Sequence, residues 1–163
     1  MRNNKPQRGE IRKMPQSLVR NYIHIITSTK NRKPIITKNI EQELFAYLGG
    51  ICKNLECNPI IVGGYRNHIH ILCLLSQKIP LMKLLEELKS HSSKWVKTKG
   101  KEFSNFYWQN GYGAFSVNPT ELTIVRKYIL DQESHHTKKT YQDEYRAFLK
   151  KYQVEYNEQY VWD

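Results

Sequence analysis

Residues 63–75 read GGYRNHIHILCLL, and the rest of the predicted fold is arranged around them. The run after Asn67 is apolar and partly β-branched, and glycines precede it, which is typical of a buried strand that follows a turn. Side chains alternate between the two faces of a strand, so His68 and His70 lie on the same face. The other face carries the apolar residues that can enter a core: Ile69, Ile71, Cys73 and Leu75.

Two imidazoles on one face of a rigid strand can supply part of the ligand set of a divalent metal ion. A chain with six histidines contains such a pair by chance roughly 0.2 times, so the pair by itself is a weak signal. The two histidines can equally be structural, with each ring held by hydrogen bonds inside the fold. Both interpretations stay open on the histidine pair alone.

Length and charge limit the possible functions. A chain of 163 residues fits one domain with a sizeable core, and a hydrophobic content of 39% with 12% aromatic residues indicates a folded globule. The formal net charge of +11 favours a polyanionic partner, most simply nucleic acid. The alternative is a basic surface that serves only solubility.

Cysteine spacing and hydropathy indicate the compartment. Cys52, Cys57 and Cys73 form no CxxC pair, which argues against a disulfide framework or a zinc ribbon and fits a reducing environment. The sequence has no apolar run as long as a membrane span, and its basic first residues lack the apolar region of a secretory signal. We therefore expect a cytoplasmic protein with no membrane partner.

The remaining patterns predict four strands and four helices. Runs of β-branched and aromatic residues between turn residues predict strands at 18–28, 60–64, 68–75 and 106–117. Apolar residues at helical spacing predict helices at 39–54, from Pro80 to about residue 96, at 121–133 and at about 141–152.

The order of these elements is βαββαβ followed by two helices. It predicts an α+β fold of the ferredoxin-like type, in which an antiparallel sheet carries helices on one face. The two histidines then stand on a sheet surface that a further helix can cover. The last helix has an aromatic stripe, for which we favour packing on the domain over stacking on nucleobases. The stripe consists of Tyr141, Tyr145, Phe148 and Tyr152.

The helix predicted at 121–133 carries two further residues with useful chemistry. Tyr128 and Gln132 are spaced i, i+4 and therefore lie on one helix face. Gln132 can give its amide oxygen as a third ligand beside the two histidines, and this neutral set suits Mg²⁺ or Mn²⁺. Tyr128 can then act as the nucleophile on a phosphodiester. With eleven tyrosines the spacing can also arise by chance, in which case Tyr128 only packs on the sheet.

Three blocks of the sequence resemble the HUH-type single-tyrosine transposases, a family of small insertion-sequence transposases and REP-associated tyrosine transposases. The blocks are NHIHIL at residues 67–72, WQNGYGAFS at 108–116 and YILDQE at 128–133. Residues 135–145 also resemble a segment of longer members. The resemblance extends over nearly the whole chain from about residue 18.

The resemblance implies a DNA transposase that cuts and rejoins single-stranded DNA at element ends marked by subterminal hairpins. Tyr128 would form a 5′-phosphotyrosine linkage and release a 3′-hydroxyl, while His68, His70 and Gln132 would hold Mg²⁺ or Mn²⁺. Many members are homodimers in which the tyrosine helix completes the partner's site. The extension from about residue 134 departs from the smallest members, and REP-associated relatives can be monomers.

On this interpretation the chain has three parts. Residues 1–17 form a flexible basic arm, 18–133 the HUH transposase domain, and 134–163 a helical extension packed on the same domain. The arm can equally be a disordered solvated tail. Basic residues away from the metal ligands are the predicted phosphate contacts of the DNA. They are Arg12, Lys33, Arg66, Lys83, Lys89, Lys94, Arg126 and Lys127.

Two other functions share much of this evidence. A relaxase or replication nickase has the same chemistry, but such enzymes often carry their motifs in another order. A domesticated DNA- or RNA-hairpin-binding module without catalysis fits the charge, but it leaves the four site residues without a joint purpose. Leu72 stands where a third histidine would be expected in a nucleotide-binding histidine triad hydrolase, which makes that class a poor match.

Overall fold

The structure is a computed structural model that describes residues 16–163. Arg12 and nearly all of the predicted basic arm lie outside this range. The elements are β1 Tyr22–Ser28, α1 Lys38–Asn54, β2 Asn58–Tyr65, β3 His68–Leu74, α2 Leu81–Lys97, β4 Gly113–Val117, α3 Leu122–Leu130, α4 Gln132–His136 and α5 Tyr141–Lys151. Short 3₁₀ turns occupy Lys30–Arg32, Lys101–Phe103 and Pro119–Glu121. Within this part of the chain, no helix combines the length and the apolar character that crossing a membrane requires.

The four strands form one antiparallel sheet in the order β2-β3-β1-β4. β1 and β3 are the two central strands, and their register sets Ser28 opposite His68 and Ile26 opposite His70. Each of the two helical connections, through α1 and α2, joins strands that have a third strand between them, which is the ferredoxin-like arrangement. The predicted fold class is therefore confirmed, and the histidine strand has a hydrogen-bonded neighbour on each side.

One face of the sheet buries an aliphatic core under α1 and α2. Ile25, Ile69 and Ile71 extend into this core from the central strands, and each is at most 2% exposed. Leu44 and Leu48 of α1, spaced one helical turn apart, fill the space above them. The residues that alternate with the histidines thus enter the core, as the strand pattern predicted.

The opposite face carries the histidines, and the C-terminal helices cover it. α3 packs through Ile129, which shares a hydrophobic cluster with Leu72 of β3. α5 packs through Tyr141 and Tyr145, which share a cluster with Phe115 of β4. Tyr141 and Tyr145 of the aromatic stripe therefore pack on the domain, whereas Phe148 and Tyr152 are half-buried. The histidines lie between the sheet and a helical cover.

Two predicted strands are shorter than expected. The first begins at Tyr22, because residues 16–21 have no regular structure. The fourth begins only at Gly113, after a loop at residues 109–111. The three carbonyl oxygens of this loop accept hydrogen bonds of 2.8–2.9 Å from the ammonium group of Lys89. The carbonyl oxygens of the loop are thus satisfied by a side chain rather than by a strand ladder.

The helix predicted at 121–133 is divided into two. α3 ends at Leu130 and α4 begins at Gln132, with Asp131 between them at φ −90° and ψ 16°. Helical spacing is therefore not what brings Tyr128 and Gln132 together. Both side chains are oriented by a shared hydrogen-bond partner, Glu144 of α5.

Candidate functional site

His68 and His70 lie side by side on β3, fully buried, with their ring centroids 5.1 Å apart. Gln132, the first residue of α4, places its Oε1 atom 2.9 Å from Nε2 of His68. Glu144, in the first turn of α5, places its Oε1 atom 2.9 Å from Nε2 of His70. Four polar side chains from one strand and two helices thus meet at one buried point.

Glu144 is a residue of this site that the sequence prediction missed. It is 4% exposed, and its second carboxylate oxygen accepts hydrogen bonds from the Tyr128 hydroxyl and from Nε2 of Gln132. A signal was present in the sequence, because Glu144 follows Tyr141 by three positions and precedes Phe148 by four. An acid on the buried stripe of a helix requires polar partners, and here the site provides them.

Two further histidines border the site. His136 of α4 has its Nε2 atom 3.1 Å from Oε1 of Gln132 and 3.3 Å from Oε2 of Glu144. His24 of β1 has its Nε2 atom 2.8 Å from Nδ1 of His70. This contact makes His24 a hydrogen-bonded residue of the buried sheet face, and the sequence analysis assigned no role to His136.

Both ring nitrogens of His68 face acceptor oxygens. Nδ1 lies 2.8 Å from Oδ1 of Asn67, and Nε2 lies 2.9 Å from Oε1 of Gln132. The NH₂ groups fix the orientation of both amides, since that of Asn67 donates to the Arg32 carbonyl and that of Gln132 donates to Glu144. A neutral imidazole carries one N–H, so only one of the two contacts is a hydrogen bond. A cation shared by Nε2 and Oε1 would resolve this conflict and leave Nδ1–H to donate to Asn67.

Electrostatics at the site favour neutral rings beside an ionised carboxylate. Burial and then the proximity of His70 lower the pKa of His68 to about 3. Burial also lowers the pKa of His24 well below its ordinary value. Burial acts to raise the pKa of Glu144, but hydrogen bonds from His136 and His70 outweigh it, and that pKa lies below its usual range. Divalent cations bind to this combination of neutral imidazole and carboxylate.

The donor set fits a divalent metal ion. One ligand atom each from His68, His70 and Glu144 lie within 4.8 Å of one another, and Gln132 adds an amide oxygen next to His68. Imidazole, carboxylate and amide oxygen are ligand types that Mn²⁺ and Mg²⁺ sites use. The Nδ1 atom of each ring also has an outer partner, as metal-bound histidines usually do. The candidate ligand set therefore contains the carboxylate of Glu144 in addition to the three neutral ligands predicted from the sequence.

Tyr128 approaches the same point from α3. Its hydroxyl donates a hydrogen bond to Glu144, and its ring stacks on His135 with centroids 4.7 Å apart. Burial and then the negative charge of Glu144 raise the pKa of Tyr128 above its ordinary value. The phenol is therefore protonated at neutral pH, and a carboxylate already holds its hydrogen.

Gly63 allows α3 to lie close to the sheet. A Cβ atom at this position of β2 would lie 2.7 Å from Cγ2 of Ile129 and 2.9 Å from its carbonyl oxygen. Any larger residue would therefore push away the helix turn that carries Tyr128. The glycine that precedes the histidine strand in the sequence is thus a close-approach position for the helix.

Three of the predicted DNA contacts belong to α2, on the sheet face opposite the histidines. Lys83 pairs with Glu87 at 2.6 Å, and Lys94 is exposed. Lys89 is half-buried against the loop at 109–111, and burial lowers its pKa to about 8. The Lys89 ammonium is engaged by the carbonyl oxygens of that loop, and a role of Lys89 in DNA binding stays a prediction.

The remaining predicted contacts that the structure describes are exposed. Lys33 lies in the loop before α1, and Arg66 lies in the turn between β2 and β3, with its guanidinium 5.6 Å from the Tyr65 ring centre. Arg126 and Lys127 lie on the outer surface of α3. A role in DNA binding stays a prediction for all of these residues.

Comparison with known families decides the class of the protein. The family described as Transposase IS200 like matches residues 17–132. The chain belongs to this family. The family match ends at Gln132, so two residues of this transposase's site, His136 and Glu144, lie beyond it. A search among curated proteins gave no match.

Two solved structures share the fold of this IS200-like transposase. A candidate transposase from Deinococcus radiodurans R1 aligns with a TM-score of 0.57 at 17% sequence identity, over 74% of this chain and 97% of that chain. A REP-associated tyrosine transposase bound to a REP hairpin aligns with a TM-score of 0.56 at 13% identity, over 77% of this chain and 74% of that chain. At these identities the likeness concerns the fold, and the fold agrees with the family.

Proposed function

We propose that this transposase cuts and rejoins single-stranded DNA through a covalent link to Tyr128, beside a divalent metal ion. The observation that carries the proposal is the contact between Tyr128 and Glu144. In this contact the Tyr128 hydroxyl lies at the edge of a buried group of side chains that could bind a metal ion, within one chain, which supports a role as nucleophile. Membership of the IS200-like transposase family and the shared fold support the same chemistry.

Mg²⁺ or Mn²⁺ would be held by His68, His70, Glu144 and Gln132. When bound, the ion would stabilise the negative charge that develops on the oxygens of the scissile phosphate. The chain's own contribution is orientation, because hydrogen-bond partners at both Nδ1 atoms turn the Nε2 atoms of the two rings toward the shared centre.

Tyr128 would be the nucleophile. Its phenolic oxygen forms a bond to the scissile phosphorus, and the bond between phosphorus and the 3′ oxygen breaks. Oε2 of Glu144, which already accepts the hydroxyl hydrogen, takes the phenolic proton, and the departing 3′ oxygen takes a proton from solvent. The product is a 5′-phosphotyrosine and a free 3′-hydroxyl. Attack by another 3′-hydroxyl on this linkage rejoins the strand and releases the tyrosine.

The proposed substrate is single-stranded DNA with a hairpin near the cut. The net charge of +11 favours a polyanionic partner, and the REP-associated tyrosine transposase of similar fold is described as bound to a hairpin. The cysteines, all buried and free, fit a reducing cytoplasm, where we place the reaction.

We further propose that a single chain carries the whole site. Tyr128 and Glu144 of one chain are in contact, and Glu144 reaches His70 of the same chain. A second copy is then not required for assembly of the site. The homodimer expected from the resemblance would instead serve to hold two element ends.

Covalent capture on a denaturing gel tests the proposed function. The protein is mixed with Mn²⁺ and a pool of labelled single-stranded hairpin oligonucleotides, including DNA that flanks its own gene. We expect a denaturant-resistant adduct that is lost in EDTA and in Tyr128→Phe. The matched control is Tyr160→Phe, an exposed tyrosine outside the site, which should retain the adduct. DNA binding without any adduct would contradict the proposal and favour a hairpin-binding module without catalysis.

A further inference from the structure

A cavity of about 520 Å³ opens beside Tyr128, between α3, α4 and α5. Tyr128 and Glu144 both belong to its wall, so the cavity leads directly to the proposed nucleophile. Its volume is in the range of sites that bind small organic molecules. The chemical step proposed above uses only one end of this space.

The lining of the cavity combines aromatic rings with positive charge. Phe148 and Tyr152 contribute half-buried rings, and three exposed lysines stand around the opening. The lysines are Lys138, Lys139 and Lys151. Aromatic rings stack on nucleobases, and ammonium groups bind phosphate oxygens. Both chemistries in one cavity match a nucleotide, which joins a flat base to a phosphate.

A buried polar atom in the lining also lacks a partner. His24 is 1% exposed, and its Nδ1 has no hydrogen-bond partner within residues 16–163. When Nε2 of His70 is a metal ligand, Nδ1 of His70 carries the hydrogen and donates to Nε2 of His24. His24 then carries its own hydrogen on Nδ1, as a buried donor. A phosphate oxygen or a base carbonyl in the cavity would accept from it.

We propose that this cavity binds the nucleotide next to the scissile phosphate of single-stranded DNA. The base lies against Phe148 and Tyr152, and the phosphate lies at the lysine rim. An unpaired base is required, because a paired base could not enter a space between helices. The inference rests on the proposed function and adds to it a site for the strand that is cut.

Photo-crosslinking maps the bound base directly. The probe is a random-sequence single strand that contains 5-iododeoxyuridine, and the protein is Tyr128→Phe in EDTA, so that neither metal nor cleavage is needed. After irradiation, mass spectrometry of the peptides should place the cross-links on Phe148 or Tyr152. Cross-links found only at the neighbouring cleft, which is lined by Tyr65 and His136, would overturn the proposal.

Two pairs of surface variants test the rim without disturbing the core. Lys151→Ala should weaken binding of the single strand about threefold or more and reduce the slope of log K against log salt by about 0.7, while Lys150→Ala should change neither. Ile124→Glu places a negative charge at the opening, whereas Leu130→Glu places one on the same helix away from it. Of these two glutamate variants, only Ile124→Glu should weaken binding of the single strand. Equal effects within both pairs would overturn the proposal.

The outcomes separate this inference from the proposed function. If the unmodified protein forms the adduct at Tyr128 but cross-links and rim variants point elsewhere, only the cavity assignment fails. If the strand cross-links in the cavity but no adduct forms in Mn²⁺, the proposed catalysis fails and the nucleotide site stands. If the unmodified protein does not bind single-stranded DNA, both fail.

Discussion

The hydroxyl of Tyr128 donates a hydrogen bond to Glu144, a residue 16 positions further along the chain. The other carboxylate oxygen of Glu144 lies 2.9 Å from Nε2 of His70. One carboxylate therefore touches both the proposed nucleophile and a proposed metal ligand. Because Glu144 lies beyond the family match at residues 17–132, the C-terminal extension contributes directly to the site.

Replacement of Glu144 by glutamine should weaken metal binding. The change removes the carboxylate charge of the donor set and keeps the size of the side chain. We expect the affinity for Mn²⁺, measured by isothermal titration calorimetry, to fall at least about tenfold. Asp143→Asn changes the adjacent exposed acid and should bind Mn²⁺ normally. If Glu144→Gln also binds normally, Glu144 is not a ligand.

Replacement of Gly63 by alanine should slow the covalent reaction. The added methyl group would meet Ile129 at 2.7–2.9 Å and displace α3, and misplacement of a reacting group by about 1 Å can cost about a hundredfold in rate. We expect the rate of adduct formation to fall at least about tenfold, with a cooperative thermal transition retained. Gly50→Ala, where no atom lies within 4 Å of the new Cβ, should keep the rate. An unchanged rate in Gly63→Ala would mean that α3 is not positioned by this contact.

Local periodicity was sufficient to predict that the two histidines of β3 lie on one face of the strand. Alternation along residues 68–74 puts His68 and His70 on one face, and the structure finds both buried there. The i, i+4 spacing of Tyr128 and Gln132 also led to two residues that meet at the site. Their helix is nevertheless broken at Asp131, so the two residues meet through a shared contact with Glu144 and not through continuous helical spacing.

Long-range contacts could not be read from the sequence. Nothing in a local pattern states that Glu144 reaches across to His70, which is 74 positions earlier. The position of Glu144 on the aromatic stripe of α5 was the one sequence signal that this acid is buried. The shortened fourth strand has a similar cause, because the ammonium group of Lys89 binds the loop at 109–111 from a helix 20 or more positions away.

Acid should destabilise the metal-free protein through His68. The folded protein holds the pKa of His68 at about 3, whereas the unfolded chain takes up the proton near 6.5. Between these values the unfolded state binds more protons, so the stability falls as the pH falls. Thermal unfolding in EDTA at steps from pH 7 to pH 4 measures the decline. Compared with the unmodified protein, the decline of stability with falling pH should be shallower in His68→Gln. It should be the same in His91→Gln, which alters an exposed histidine of α2. An equally steep decline in His68→Gln would contradict this assignment.

A site contained in one chain should not be restored by mixing defective chains. His70→Ala lacks a metal ligand, and Tyr128→Phe lacks the nucleophile. Co-expression of the two variants allows a dimer to form from one copy of each. Such a dimer contains intact metal ligands in one chain and an intact Tyr128 in the other. We expect no adduct above the level of either variant alone. Restoration of the adduct would show that the tyrosine acts in the site of a partner chain.

The most direct test of the account is to identify the residue that becomes linked to DNA. The protein is incubated with Mn²⁺ and single-stranded hairpin DNA, digested with nuclease and protease, and analysed by mass spectrometry. We predict a nucleotide joined through its 5′ phosphate to the peptide that contains Tyr128. A linkage at another tyrosine, such as Tyr141 or Tyr145, or cleaved DNA with no protein linkage, would contradict the central claim.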